Sequence, residues 1–153
     1  MIAALQYAQS TSIVLESDYP YFSGTTQKKG ACQLTNDISG KVTVNTITQV
    51  TPNSADELKA AIAITPVSIA IEADTAVFQS YSSGVLNSSR CGTSLDHGVL
   101  AVGYGTDATQ GDYYIVKNSW GSSWGESGYI RIAVVDGAGI CGIQMEPVYA
   151  TVN

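Results

Sequence analysis

His97 and Asn118 are the residues whose types could do chemistry together. His97 is the chain's only histidine and sits in Leu95-Asp96-His97-Gly98-Val99. Asn118 lies in the run Lys117-Asn118-Ser119-Trp120-Gly121-Ser122-Ser123-Trp124-Gly125-Glu126-Ser127-Gly128-Tyr129, which packs two tryptophans and three glycines into thirteen residues. An imidazole exchanges protons near neutral pH. An amide can orient the ring without adding a charge. Together they are two members of a Cys-His-Asn catalytic set, in which a thiolate attacks an acyl carbon. The third member, the nucleophile, decides what the chain can do.

Three cysteines are available, Cys32, Cys91 and Cys141. They show no CxxC spacing and only one histidine accompanies them, so a zinc site is not expected. No other metal or organic cofactor is implied. The odd count allows two to pair and leaves one thiol over. The triplet Asn87-Ser88-Ser89 is an N-glycosylation sequon, a candidate modification site that suits a secretory route.

The composition narrows the class. A 44% hydrophobic and 13% charged chain of 153 residues is a packed globular protein, and its length predicts a single domain over 1–153. The net charge of −6, with no Lys/Arg stripe to offset it, excludes nucleic acid as a natural partner. No apolar run reaches the roughly 18 residues of a membrane span. Residues 1–10 carry neither a basic start nor a long apolar stretch, so they do not read as a signal peptide.

The positioning elements follow from pattern. Ile2, Leu5 and Ala8 give helical spacing over 1–10 with no capping residue ahead of it, a helix entered partway along. Asp18-Tyr19-Pro20-Tyr21 and the residues to Gly30 read as loop. Val42 to Val50 is rich in β-branched residues, hence a strand. Ser54-Ala55-Asp56-Glu57 is a capping box leading into a helix with Leu58, Ala61 and Ile62 on one stripe, stopped by Pro66. Val67 to Ile71 is a short strand, and Asp74 to Tyr81 a helical turn carrying Val77 and Phe78. Val99–Val102, Tyr113–Lys117, Tyr129–Val134 and Pro147–Val152 are further strands separated by glycines. The fold class is therefore α+β and mostly β: an antiparallel sheet or half-barrel with a few short helices.

Cys91-Gly92-Thr93-Ser94-Leu95-Asp96-His97-Gly98-Val99, then Val102-Gly103-Tyr104-Gly105, then Tyr113 to Gly121, Trp124-Gly125 and Gly128-Tyr129 closely resemble papain-like cysteine proteases of the papain and cathepsin L type. Asp18-Tyr19-Pro20-Tyr21 and Gly139-Ile140-Cys141-Gly142-Ile143 fit the same pattern. The resemblance covers essentially the whole chain and corresponds to the C-terminal, His/Asn-bearing lobe. It implies that His97 is the catalytic imidazole, that Asn118 orients it, and that Trp120 shields their hydrogen bond and forms a cleft wall. A thiol near pKa 8.5 becomes a stable thiolate beside an imidazolium, falling to roughly 3–4 as it does in papain itself. Asp96 is at most a modulator, and Trp124 a packing residue.

The family nucleophile follows a C-G-[SA]-C-[WY] signature that precedes its histidine by about 130–150 residues, and the string does not occur here. The cysteine, and the glutamine that helps form the oxyanion hole, would precede Met1. The resemblance makes Cys91 and Cys141 a disulfide and leaves Cys32 unpaired, its partner lying in the N-terminal lobe. Residues 1–10 resemble part of an inter-lobe helix. The pocket for the substrate side chain two residues before the cut corresponds to Ala70, Leu95, Gly98 and Glu146. An apolar wall there suits Leu or Phe, and the glutamate adds tolerance for Arg. The expected activity is endopeptidase cleavage of protein or peptide substrates, with this chain supplying histidine and asparagine only and inactive alone. A light chain or N-terminal lobe would bring the cysteine. The alternative is a truncated, non-catalytic homologue serving as a binding or structural protein. By family resemblance the expected compartment is lysosomal, endosomal or secreted.

Overall fold

The computed structural model describes residues 1–11, 13–33 and 42–152. The chain divides into two compact units, a larger one over Thr48–Tyr149 and a smaller one over Ile2–Ile47 and the residues from Ala150 onward.

The larger unit is built on a sheet. Its helix α3 (Ala55–Ile64) begins at Ser54, whose hydroxyl accepts the Glu57 amide at 3.3 Å. This is half of the expected capping box, because the exposed Glu57 side chain makes no return bond to Ser54 among the described hydrogen bonds. Leu58, Ala61 and Ile62 are the buried stripe. Its strands are β2 (Val67–Ile71), β3 (Val85–Leu86), β4 (His97–Asp107), β5 (Gly111–Lys117), β6 (Tyr129–Ala133) and the first two residues of β7 (Val148–Val152). In order across the sheet they run β7-β2-β4-β5-β6-β3. The short helix α4 (Ala76–Gln79) buries Phe78, and 3-10 turns occur at Ser89–Cys91 and Ile140–Gly142.

Strand alternation explains the core. Val67, Ile69 and Ile71 of β2 are fully buried while Ser68 and Ala70 between them are not. They meet Leu58, Phe78, Tyr114, Val116, Ile130, Ile132 and Ile143 in one cluster. The Tyr114 hydroxyl donates to Gln144 Oε1 at 2.9 Å, and Gln144 Nε2 donates to the Gly137 carbonyl at 2.6 Å. A fully buried glutamine is tolerated because both ends of its amide are satisfied. Burial pushes the Tyr114 phenol well above its ordinary pKa, so it stays a neutral donor.

Two features depart from the pattern reading. β4 begins at His97 rather than Val99 and continues through Gly103 and Gly105 to Asp107, with a bulge between Ala101 and Gly103. Those glycines do not break the strand, because a Cβ on Gly105 would lie 2.8 Å from the Tyr113 hydroxyl and one on Gly103 would lie 3.4 Å from Ile115. Cross-strand side chains cover both positions. The sheet is also mixed rather than wholly antiparallel, since β3 runs parallel to β6. Two residues carry no readable period. Side chains hold β3 in place instead: the Gly84 amide donates to Glu126 Oε1 at 2.9 Å and the Val85 amide to Gln110 Oε1 at 3.1 Å.

Cys91 and Cys141 form a disulfide spanning 50 residues of chain. Closing a loop of that size stabilises a domain by about 2–4 kcal/mol, chiefly by restricting the unfolded chain. The larger unit also carries a half-buried charge cluster. Arg131 donates to both oxygens of Glu126 at 2.9 and 2.7 Å and stacks over Tyr113 at 5.2 Å.

In the smaller unit, α1 (Ile2–Ser10) buries Ala8, and Gln9 Nε2 donates to the Asn45 carbonyl of β1 (Val44–Gln49). The expected loop contains one turn of helix, α2 (Ser23–Thr26), closed by Gln27 in the left-handed conformation. Cys32 is exposed with a free thiol. A groove of about 690 Å³ lies among residues that include Tyr19, Tyr21, Phe22 and Cys32.

Two outcomes follow. Ser54→Ala should cost about 1 kcal/mol in urea unfolding of the chain, the ordinary worth of a side-chain cap. Glu126→Gln should cost about 1–2 kcal/mol at neutral pH, reduced from a buried value by the partial exposure of the pair. Arg131 holds the Glu126 carboxyl below its ordinary pKa. That contribution is therefore present above the unfolded value of about 4.3 and lost as pH falls through the lower folded value. Urea midpoints of wild type and variant should differ at pH 7 and converge in strong acid; a difference independent of pH would contradict the assignment.

Candidate active site

His97 opens β4 and lies opposite Ile71 of β2. The residue before it is anchored twice. The Asp96 amide donates to the Ile71 carbonyl at 3.0 Å, and its carboxylate accepts the amides of Ala73 at 2.7 Å and Asp74 at 3.2 Å. Asp96 thus ties the entry of β4 to the exit of β2. Glu72 accepts the Ser94 amide in the same corner. The three carboxylates repel one another, and Asp96 beside Asp74 raises the Asp74 pKa, with desolvation and Glu72 adding to it.

Asn118 follows the end of β5, which pairs directly with β4. Its amide donates to the Gly128 carbonyl at 3.0 Å, fixing the backbone, and the residue is buried. The side-chain oxygen accepts the Ser119 amide at 2.7 Å. That bond sets the amide's orientation, since only the oxygen can accept from a backbone N–H. The same oxygen lies 2.9 Å from His97 Nε2. An amide oxygen cannot donate, so Nε2 carries the proton and donates. In the neutral ring Nδ1 is then the lone-pair nitrogen. No described residue hydrogen-bonds Nδ1. Asn118 Nδ2 is buried without a partner among the described residues.

Aromatic rings brace this pair. Trp120 stacks on the imidazole at 5.2 Å and 28° and stays 40% exposed, so it covers one face of the ring while its own outer face is open. Phe78 packs edge-on to Trp120 at 5.4 Å and lies 5.1 Å from Trp124, which is itself 5.4 Å from Trp120. Trp124 Nε1 donates to the Gln79 carbonyl at 3.1 Å. Trp124 thus packs as read from sequence, but it packs against the ring that covers His97. Phe78 and Tyr81 were not singled out for the site. Their signal is faint, two aromatics three residues apart beside one short helix. Glycine is needed where this loop folds on itself: Gly125 and Gly128 have φ of +56° and +92°, and a Cβ on Gly125 would lie 2.5 Å from the Tyr129 carbonyl.

The other sequence candidates fall into separate groups. Ala70 and Gly98 face each other across β2 and β4, and a Cβ added to Gly98 would meet nothing within 4 Å. Leu95 approaches Gly142, which also neighbours Met145, and Glu146 beyond them is exposed. Cys91 and Cys141 are buried in their disulfide. Cys32 belongs to the smaller unit, and Asn87 is exposed beyond β3. Among the described residues no cluster of His, Cys, Asp and Glu is arranged to hold a metal ion. No helix among them is long and apolar enough to cross a membrane.

Known proteins resemble this chain. The family described as papain family cysteine protease matches residues 1–151. Cysteine proteinase RD21A of Arabidopsis thaliana is 48% identical over 140 residues, which are 90% of this chain and 29% of that protein. The oryzain beta chain of Oryza sativa subsp. japonica is 48% identical over 138 residues, 89% of this chain and 28% of that one. The chain therefore spans less than a third of the length of these relatives. Among solved structures, the bromelain protease from Ananas comosus in complex with the E64 inhibitor superposes with a TM-score of 0.88 at 39% identity, over 98% of this chain and 68% of that one. The family match over residues 1–151 and the similarity along nearly the whole length lead to one conclusion: this chain belongs to the papain family of cysteine proteases.

Proposed function

We propose that this chain supplies the histidine and asparagine of a cysteine endopeptidase site, and that the nucleophilic thiol comes from residues outside these 153. The observation that carries the reading is the bond from His97 Nε2 to Asn118 Oδ1, which leaves Nδ1 as the basic nitrogen. Within this reading Nδ1 takes the proton of an approaching thiol and the pair persists as thiolate and imidazolium. The thiolate attacks the scissile carbonyl. The imidazolium then gives its proton to the leaving amine, and a water attacks the resulting thioester with the imidazole as base. Asn118 keeps the ring aligned through these transfers. Trp120 keeps water from the bond that does so.

The chain's own cysteines do not suit the nucleophile's role. Two are buried and oxidised, and the third, Cys32, does not sit in the C-G-[SA]-C-[WY] signature of the family nucleophile. The unpartnered Asn118 Nδ2 supports the same reading, because a buried donor normally finds an acceptor and the thiol-bearing part can supply one. That part is either joined to this chain in a longer polypeptide or a separate light chain. We place the assembled enzyme in a lysosome-like, endosomal or secreted compartment, where the disulfide is stable.

Substrate preference follows from the open face at Gly98. Ala70, Leu95 and Gly98 would form an apolar wall for the side chain two residues before the cut, suited to Leu or Phe. Exposed Glu146 would accept Arg at its far end. In the assembled enzyme Glu146→Ala should lower cleavage after Arg at this position while leaving Leu substrates unchanged; equal effects on both would remove Glu146 from the pocket.

The decisive experiment joins this chain to a segment bearing the Cys-Trp signature and applies a thiol-reactive probe and a fluorogenic peptide. The assembly should label and turn over, and the chain alone should do neither. His97→Ala should abolish turnover. Asn118→Ala should reduce it about 10²-fold, the scale of a misplaced catalytic group. Turnover by the chain alone, or by His97→Ala, sinks the reading. Failure of every assembly to label favours the alternative, a non-catalytic binding protein.

A further inference from the structure

We propose that Asn87 carries an N-linked glycan. The inference is independent of the peptidase reading. Asn87-Ser88-Ser89 is the one Asn-X-Ser/Thr triplet in the sequence, with a middle residue other than proline. Asn87 is exposed, directly follows β3, and its side chain makes no hydrogen bond among the described residues. Ser88 is occupied otherwise: its hydroxyl caps the following 3-10 turn by accepting the Arg90 amide at 3.3 Å. The acceptor asparagine is thus presented at a strand exit rather than built into a turn.

A further observation supports modification. Cys91, four residues on, is disulfide-bonded, so this segment matures where disulfides form, and N-glycosylation belongs to the same oxidising route.

In the transfer, Asn87 Nδ2 attacks C1 of the first N-acetylglucosamine of an oligosaccharide carried on a lipid pyrophosphate. The N–C1 bond forms and the C1–O bond to phosphate breaks. The electron pair leaves with the lipid pyrophosphate, and the amide proton passes to the transferase. No oxidation or reduction occurs.

The test is secretion of the full chain from a eukaryotic host, followed by peptide mapping. The Asn87 peptide should carry one glycan, and peptide N-glycosidase should remove it and convert Asn87 to Asp. Asn87→Gln and Ser89→Ala should each lose the gel shift, whereas Ser88→Ala should keep it. Unmodified Asn87 in secreted protein whose Cys91–Cys141 bond is intact would overturn the site.

Discussion

The hydrogen bond between His97 Nε2 and Asn118 Oδ1 is the constraint on which the functional half of this molecule depends. It is only 2.9 Å long, and its partners lie 21 residues apart. Each is held by a different strand, and the pairing of β4 with β5 brings them together. A shift of one residue in that register would turn either side chain to the other face of the sheet. Much of the surrounding structure can be understood as fixing this register. The β4–β5 hairpin is closed by Asp107, whose carboxylate accepts the Thr109 and Gln110 amides, and by Gly111 at positive φ. The bulge near Gly103 adjusts the strand between that turn and the site.

The two partners are then locked against rotation. Asn118 has its backbone tied to Gly128 and its side-chain oxygen tied to Ser119, so the amide cannot flip without losing a bond. His97 has Trp120 against one ring face, and Trp120 leans on Phe78, the most deeply buried aromatic ring outside the sheet. Asp96 fixes the backbone just ahead of the imidazole by taking two amides, of Ala73 and Asp74, from the segment that leaves the neighbouring strand. A ring held in this way is preorganised, its orientation set before any partner approaches. Among the described residues two nitrogens of this pair have no partner, the buried Asn118 Nδ2 and the His97 Nδ1.

Much of this was legible in the sequence, because the chemistry-bearing residues sit in long ordered motifs. The His-Gly-Val and Asn-Ser-Trp-Gly strings identified the pair and the family, and the Cys91–Cys141 pairing expected from the family is the disulfide in the structure. The helix at Ser54 and the alternating strand at Val67 followed from capping and period-two burial. β3 was not legible, since two residues have no period and side chains from distant segments place it. Nor was the full length of β4, where glycines read as breaks but serve as seats for Tyr113 and Ile115. The reach of Phe78 toward the imidazole was equally hidden, being a contact between elements far apart in sequence.

The sequence by itself determined the reagents: one imidazole, one orienting amide, two tryptophans, and cysteines in no position resembling the family nucleophile. Residue type sets what a side chain can donate, accept or hold, so those conclusions need no coordinates. Only the tertiary structure decided which ring nitrogen is committed, which face of the imidazole is covered, and which amide hydrogen is left over. Those depend on angles and distances among groups that the chain order keeps apart, and they exist only once the strands are in register.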